Sequence, residues 1–324
     1  MVADPNTHET IEIFSGNAHK KIAKQIAKYL GLHLSPITIQ KFSNDNIEVQ
    51  LGESVRGKDV FLVQSLVPPT SDHLMELLLM IDIARMSGAK SIHAVIPHYS
   101  YGRSDKKDAP RISITARLVA DMLVTAGAQH IIAMTMHSPQ VHGFFSVPTE
   151  HLTAHSVFVK HFKQQDLSNT VVVSPDIGNA KRASKLAHSL EVPLAIGQKK
   201  RISDDSVNIG SVLGEVKGKR IIIFDDEIAT GGTIVELAQR LRDAGALEIS
   251  VACTHGLFLK KAKKRLDALD QVTEIVTTNT VPVPKKKRPN NLVTLDVGHI
   301  FGEVISRTLK GESIGELFEF WPDS

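Results

Sequence analysis

Residues 220–241 read RIIIFDDEIATGGTIVELAQRL, an order that predicts a strand, a binding loop and a helix. The apolar run after Arg220 is typical of a buried strand, and the stretch from Ile234 to Leu241 is typical of a helix. Three acids, Asp225-Asp226-Glu227, and a Thr-Gly-Gly-Thr turn lie between them. Ligands of parallel sheets bind outside the carboxyl ends of the strands, so this segment predicts a ligand site.

The residue types of this segment indicate which ligand it binds. Gly231 and Gly232 permit close backbone approach, and the two threonines beside them supply hydroxyl groups. The helix that follows offers free N–H groups, so a phosphate monoester fits. Asp225 and Asp226 suit the vicinal hydroxyls of a sugar or a hydrated magnesium ion. The alternative is that these acids solvate the start of the helix, which Asp favours anyway.

Apolar β-branched runs alternate with helical patterns elsewhere too. In the first half the predicted strands are 11–14, 60–63, 91–96 and 130–134, and the predicted helices are 18–30, 72–86 and 112–125. This alternation predicts βαβ units, with helices on both faces of a mainly parallel sheet.

The second half of the chain repeats the first. Gly16-Asn17-Ala18 recurs as Gly178-Asn179-Ala180, 162 residues later, and the Gly-Ala pair at Gly88 recurs at Gly245, 157 residues later. The nearly constant offset predicts an α/β protein of two tandem, similar domains. We place them at residues 1–155 and 156–310, followed by a tail at 311–324. The alternative is that two unrelated α/β domains share such turns.

Composition excludes several classes of partner. Of 324 residues, 38 are Lys or Arg and 35 are Asp or Glu, and a net charge of +3 does not compel nucleic-acid binding. Aromatic residues make up only 5%, which argues against RNA recognition, so we expect no nucleic-acid partner. The basic run 285–288 lies between prolines and is typical of a solvated connector. The longest stretch without charged residues, 122–149, contains three histidines and two prolines, so we expect no membrane partner. The single cysteine, Cys253, predicts a reducing, cytoplasmic location.

Five further segments carry side chains suited to nucleotide or phosphate chemistry. They are KFSN at 41–44, PHYSYGRSDKK at 97–107, MTMHSPQVHGFF at 134–145, AIGQKKR at 195–201 and TLKGESIGELF at 308–318. An aromatic in a polar turn suits stacking on a base, and a guanidinium binds two phosphate oxygens. The alternatives are a Phe42 that covers the local core, a solvated basic loop around Arg103, a structural His137 and an exposed charged turn at 199–201.

The nine residues 225–233 resemble the phosphoribosyl-diphosphate motif of the type I phosphoribosyltransferase fold. With the repeat and the five segments above, the chain from Ile11 to about Phe318 resembles the ribose-phosphate diphosphokinase family, whose members are also called phosphoribosyl-diphosphate synthetases. The resemblance implies transfer of the diphosphoryl group of ATP to the anomeric hydroxyl of ribose 5-phosphate, with Mg²⁺ as cofactor. It also implies a homo-oligomer, a hexamer built from dimers.

The resemblance also implies roles for individual residues. The nucleotide would lie on Phe42, Asn44, Arg103, Ser104, Asp105 and His137. Ribose 5-phosphate would lie on Asp225, Asp226, Ala229, Thr230, Gly231, Gly232 and Thr233. Magnesium would be bound by His137 and Asp176, and the catalytic residues would be Arg103, Lys199 and Arg201, the last two on a flexible loop at 195–201.

The chain departs from the family pattern at five positions. Asn46, Ser104, Thr135, Ala229 and Gly315 stand where the family usually has an acid, Gln, Asp, Asp and Ser. These departures leave nucleotide preference and control by phosphate or ADP open. They also keep two alternatives: a phosphoribosyltransferase, which uses the same sugar loop but normally needs only one such domain, and a catalytically inert regulatory subunit.

Overall fold

The chain divides into two units in the computed structural model, which describes residues 10–203 and 206–317. Side chains are described outside 198–211 and 316. The first unit comprises the described residues up to Thr153 and from Val297 onward, and the second comprises Ala154–Asp296. The first of these boundaries falls two residues from the predicted one at 155.

A five-stranded parallel sheet forms the first unit. In spatial order its strands are β1 (Ile11–Ser15), β4 (Asp59–Val63), β5 (Ser91–Ile96), β6 (His130–Met134) and β7 (Thr149–Leu152). Its helices are α1 (Lys20–Tyr29), α2 (Thr70–Met86) and α3 (Thr115–Ala126), with a 3-10 turn at Pro139–Phe144. Strands β2 (Ile37–Lys41) and β3 (Ile47–Leu51) form a separate antiparallel hairpin. All five residues of β6 are buried, as expected of a strand covered by helices on both faces.

A seven-stranded sheet forms the second unit. In spatial order its strands are β10 (Ser206–Leu213), β9 (Leu194–Ser203), β8 (Thr170–Ser174), β11 (Arg220–Ile228), β12 (Glu248–Gly256), β13 (Val272–Thr278) and β14 (Leu292–Leu295). Its helices are α4 (His155–Phe162), α5 (Ala180–Ser189), α6 (Gly232–Asp243) and α7 (Ala262–Asp267), with a 3-10 turn at Lys285–Lys287. Only the β9–β10 pair is antiparallel among the described strands of this sheet.

The predicted repeat is confirmed down to individual hydrogen bonds. Apart from α4 at the start of the second unit and the last helix of the chain, each unit runs strand, helix, two antiparallel strands, strand, helix, strand, helix, strand, 3-10 turn and strand. The Gly57 N–H donates to the Gly88 carbonyl at 2.8 Å, and the Gly218 N–H donates to the Gly245 carbonyl, also at 2.8 Å. Gly88 and Gly245 both have positive φ, 78° and 87°, which glycine adopts without steric cost.

The last helix of the chain, α8 (Gly298–Lys310), packs on α1 of the first unit. The Tyr29 hydroxyl donates to Glu303 at 2.5 Å, and a Cβ at Gly302 would lie 2.5 Å from the Tyr29 ring. The boundary at 310 assigned this helix to the second domain, whereas its contacts group it with the first. Sequence order alone does not specify which sheet a terminal helix covers. None of the helices within the described ranges is long and apolar enough to cross a bilayer.

Candidate active site

The acidic segment lies within β11 rather than after it. Strand β11 pairs with β8 only from Arg220 to Ile223, but it continues beside β12 as far as Ile228. The predicted strand ended at Phe224 because charged residues usually mark a strand end. Continued pairing with β12 extends the strand, so Asp225 and Asp226 lie just beyond the carboxyl end of β8.

Two of the acids are coupled through a hydrogen bond. Asp226 is buried, and its backbone N–H donates to the Asp225 carboxylate at 2.9 Å. Burial raises the pKa of Asp225 well above its ordinary value, and the nearby Asp226 and Asp176 carboxylates raise it further. A cation or a set of sugar hydroxyls would relieve this repulsion.

Asp176 is positioned by the turn that follows β8. The Asn179 N–H donates to the Asp176 carboxylate at 3.0 Å, and the Asn179 side-chain amide donates to the Phe224 carbonyl at 2.6 Å. Asn179 therefore links Asp176 to the residue before Asp225. The repeated Gly-Asn-Ala triplet was the signal for this role, which the sequence prediction did not assign.

The donor set around Asp176 suits magnesium bound together with a substrate. Its carboxylate oxygens are the ligands that Mg²⁺ prefers, and the Asn179 Oδ1 is buried without a hydrogen-bond partner among the described residues. Among the residues that the structure describes, no group of three or more His, Cys, Asp or Glu side chains could hold a metal ion by itself. Magnesium usually takes one or two carboxylates together with phosphate oxygens and water, and the residues present fit that requirement.

The phosphate loop, Ala229–Thr233, connects β11 to α6. Gly231 caps the helix with φ of 75°, a left-handed conformation that favours glycine. Helix α6 has 12 residues, so its first N–H groups and its dipole favour an anion at the loop. The structure therefore brings the predicted sugar-phosphate residues together at one edge of the sheet.

The equivalent place in the first unit is filled by protein. Gln64, the first residue after β4, is the counterpart of Asp225 in β11. It is fully buried. Its side-chain amide donates to Glu76 at 2.7 Å and its carbonyl accepts the Ala18 N–H at 3.1 Å. Glu76 also accepts the backbone and side-chain N–H groups of Asn17, at 3.0 and 3.1 Å. These polar groups satisfy one another's hydrogen bonds. The first half lacks the acidic cluster, and this network lies in its place.

Phe42 and Asn44 lie in the turn of the β2–β3 hairpin. Phe42 is 48% exposed, so it does not cover the local core, and its ring is accessible for stacking. Asn44 Oδ1 accepts the Asn46 N–H at 3.2 Å, which shapes the turn. Lys41 pairs with Asp45 at 2.7 Å, and both Asp45 and the more distant Asp72 raise the pKa of its ammonium group.

Arg103, Ser104, Asp105 and His137 follow the neighbouring strands β5 and β6. A Cβ at Gly102 would lie 3.4 Å from the His137 Cβ, so the two loops are in contact. Arg103 and His137 are both exposed. The Ser104 hydroxyl donates to the Ser113 carbonyl at 3.1 Å and accepts the Thr115 N–H at 3.3 Å. Ser104 thus holds the start of α3, and a contact with a nucleotide stays a prediction.

Lys199 and Arg201 lie on strand β9, opposite Ile209 and Val207 of β10. The sequence predicted a loop here, but the backbone of residues 194–203 is extended and paired. The alternating apolar residues of β10 were the missed signal for a hairpin partner. The side chains of Lys199 and Arg201 lie outside the described residues, so their catalytic roles stay predictions.

Acids at a strand end, a glycine loop at a helix start and the repeated parallel topology define a sugar-phosphate-binding protein of the phosphoribosyltransferase fold. Residues 11–127 match the N-terminal domain of ribose phosphate pyrophosphokinase, and residues 207–319 match the phosphoribosyl synthetase-associated domain. The chain belongs to the ribose-phosphate pyrophosphokinase family.

Individual relatives match over nearly the full length. The ribose-phosphate pyrophosphokinase of Deinococcus radiodurans is 47% identical over 311 residues, which are 94% of this chain and 97% of that protein. The ribose-phosphate pyrophosphokinase of Caldanaerobacter subterraneus is 41% identical over 95% of this chain and 98% of that protein. The crystal structure of phosphoribosylpyrophosphate synthetase from Mycobacterium smegmatis is 39% identical, with a TM-score of 0.88 over 93% of this chain and 99% of that one.

Proposed function

We propose that this protein transfers the diphosphoryl group of ATP to ribose 5-phosphate, giving 5-phosphoribosyl 1-diphosphate and AMP. The observation that carries the proposal is the difference between the two units. The second unit has Asp225, Asp226 and the phosphate loop at its sheet edge, whereas the first has the closed Gln64–Glu76 network there. One sugar-phosphate site in the second unit, and a differently built first unit, suit an enzyme with two substrates.

Ribose 5-phosphate binds at the second unit. Its 5-phosphate lies on the phosphate loop, where N–H groups and the dipole of α6 favour a dianion. Asp225 and Asp226 bind the ring hydroxyls. These contacts orient the anomeric hydroxyl for attack.

Asp176 and His137 would hold magnesium, together with water and nucleotide phosphates. When bound, the ion would neutralise phosphate charge during transfer. The raised pKa of Asp225 suits the same arrangement, because a nearby cation favours the ionised form.

The first unit binds the nucleotide. The exposed ring of Phe42 stacks on the base, with Asn44 beside it, and Arg103, Ser104 and Asp105 bind the phosphates. The anomeric oxygen forms a bond to the β-phosphorus and its proton passes to solvent. The bond from that phosphorus to the α–β bridging oxygen breaks, so AMP leaves. Arg103, Lys199 and Arg201 stabilise the charge in transit, because phosphoryl transfer depends chiefly on positioning and electrostatics.

Three further properties belong to the proposal. The protein acts in the cytoplasm, as its single buried Cys253 suggests. It works as a homo-oligomer, a hexamer built from dimers, and it needs no nucleic acid or membrane partner.

A turnover assay tests the proposal against its rivals. Purified protein with Mg²⁺, ATP and ribose 5-phosphate is expected to form AMP without any nucleobase. Diphosphate release that depends on an added base would indicate a phosphoribosyltransferase instead. Absence of AMP, with an effect on the activity of an added synthetase, would indicate an inert regulatory subunit.

A further inference from the structure

The carbonyl groups at the end of β11 and the start of the phosphate loop are held from one side. The Ile228 carbonyl accepts the backbone N–H groups of Leu257 and Phe258, at 3.0 and 3.2 Å. The Ala229 carbonyl accepts the Leu259 N–H at 2.7 Å. These donors all belong to the segment after β12, so that segment forms a support for the loop.

The next carbonyl is held by a side chain. Arg265 Nη1, on α7, donates to the Thr230 carbonyl at 3.2 Å. The same helix packs near Gly231, because a Cβ there would lie 3.6 Å from Leu266 and 3.8 Å from Ala262. The bonds to Ile228 and Ala229 come from the backbone and survive any exchange of side chains, whereas the bond to Thr230 does not.

This bond fixes the direction of a neighbouring N–H group. The peptide between Thr230 and Gly231 is planar, and its C=O and N–H point in opposite directions. A Thr230 carbonyl turned toward Arg265 therefore turns the Gly231 N–H away from α7. Gly231 sits at a φ of 75°, and the conformational freedom of glycine makes rotation of this peptide cheap unless it is held.

We propose that Arg265 is a positioning residue for the 5-phosphate of the sugar. It acts through the Thr230 carbonyl, which it holds so that the Gly231 N–H joins the N–H groups at the start of α6 in one anion-binding array. The inference rests on the proposed function, because it names what aligns the phosphate loop of that site. Since the 5-phosphate is remote from the reacting oxygen, loss of Arg265 weakens sugar binding rather than the chemical step.

Steady-state kinetics of the full chain with three variants test this role. Arg265→Met removes the donor while keeping an unbranched side chain, and Arg265→Lys keeps a cationic donor. Lys264→Met is the matched control, because it removes one charge from an exposed position on the same helix. Arg265→Met is expected to raise KM for ribose 5-phosphate about tenfold, the effect of one charged hydrogen bond. Its kcat and its KM for ATP change by less than about twofold.

The control variant Lys264→Met and the conservative variant Arg265→Lys distinguish a positioning role of Arg265 from a general effect of its charge. Lys264→Met is expected to leave KM for ribose 5-phosphate within about twofold of wild type, and Arg265→Lys to recover most of the loss. Equal effects of Arg265→Met and Lys264→Met, or a fall in kcat without a rise in KM, would overturn the assignment. If Arg265→Met does not fold, Arg265→Leu, which also lacks a donor, is measured with the same expectation. A wild-type protein that forms no AMP would overturn the proposed function as well.

Discussion

The backbone N–H of Asp226 donates to the carboxylate of Asp225 at 2.9 Å, at the point where β11 has lost its β8 neighbour but keeps β12. This contact holds two acids close together in a partly buried position. The arrangement costs stability in the free protein and becomes favourable when a ligand neutralises or hydrogen-bonds the carboxylates. Function and stability are therefore opposed at Asp225.

Asp225→Asn is expected to stabilise the free protein while impairing sugar binding. The raised pKa of folded Asp225 means that the unfolded chain loses this proton at a lower pH than the folded one. The stability conferred by the wild-type residue is fully present below the ordinary pKa of Asp and is lost as pH rises from there through the raised pKa of the folded state. At neutral pH the variant should melt about 2–4 °C higher, equivalent to about 1 kcal/mol. Asn can still accept the Asp226 N–H.

Thermal unfolding at pH 7 and pH 4, without ligands, measures this effect. The increase in melting temperature of Asp225→Asn over wild type should be larger at pH 7 than at pH 4. Glu215→Gln, at an exposed position of the same unit, is the control and should change the melting temperature little. A lower melting temperature for Asp225→Asn at pH 7 would show that Asp225 stabilises the free protein.

Glu76→Leu tests the closed network of the first unit. The substitution leaves three N–H donors, two from Asn17 and one from Gln64, without their acceptor. Because donors to a buried carboxylate are costly to leave unpaired, we expect a loss of about 3 kcal/mol in the free energy of unfolding. Urea denaturation measures it. Glu48→Gln, at an exposed position, should cost less than about 0.5 kcal/mol, and equal costs would contradict the network.

His93 makes the first unit sensitive to acid. Burial is the largest of the effects that lower the pKa of His93 to about 4; the neighbouring His130 and Lys90 act in the same direction, and Asp59 opposes them. The unfolded chain therefore binds a proton at higher pH than the folded one, so stability is complete above about pH 6.5 and falls toward pH 4. Between these limits the loss is about 3 kcal/mol.

Urea denaturation across pH 4–7 compares wild type with His93→Gln. The variant lacks this titration, so its stability should fall less steeply with acid. Identical slopes would show that His93 does not set the response. The ring of His93 also stacks on Phe61 with a 4.3 Å centroid distance, so the variant should start from a lower stability at pH 7.

Cys253 is expected to be unreactive in the folded protein. Burial raises the pKa of its thiol far above the ordinary value, and the thiolate is the reactive form. A disulfide reagent at pH 8 should label Cys253 only after denaturation. Labelling of the native protein at the rate of a free thiol would contradict the burial of this side chain.

Phe42→Ala tests the nucleotide side. Stacking on a base is worth about 1–3 kcal/mol, so the substitution should raise KM for ATP about tenfold and leave KM for ribose 5-phosphate nearly unchanged. Leu118→Ala is the matched control, since Leu118 is an exposed apolar residue on α3 of the same unit. Equal KM values for ATP in the two variants would show that Phe42 does not contact the nucleotide.

Much of this architecture follows from local patterns in the sequence. Continuous apolar runs identified β5 and β6 to the residue, and the glycine turns at Gly88 and Gly245 identified the repeat. The end of β11 was missed because its pairing with β12 is a tertiary effect that overrides the polarity of Asp225. The packing of α8 on α1 was missed for a similar reason.

The hydrogen bond from Arg265 to the phosphate loop was the feature hardest to predict from the sequence. Arg265 lies 35 residues from Thr230, in a run of basic residues that is typical of a solvated helix face. Only the fold brings the two together. The loop itself was predictable because its chemistry is local: glycines, hydroxyls and a helix start within five residues.

Phosphorus-31 NMR of the reaction mixture tests the central claim most directly. With Mg²⁺, ATP and ribose 5-phosphate, wild-type protein should produce AMP and a sugar diphosphate in equal amounts. Asp226→Asn, folded by circular dichroism, should produce neither at a comparable rate. Formation of ADP instead of AMP, or an unchanged rate in Asp226→Asn, would contradict diphosphoryl transfer at this pocket.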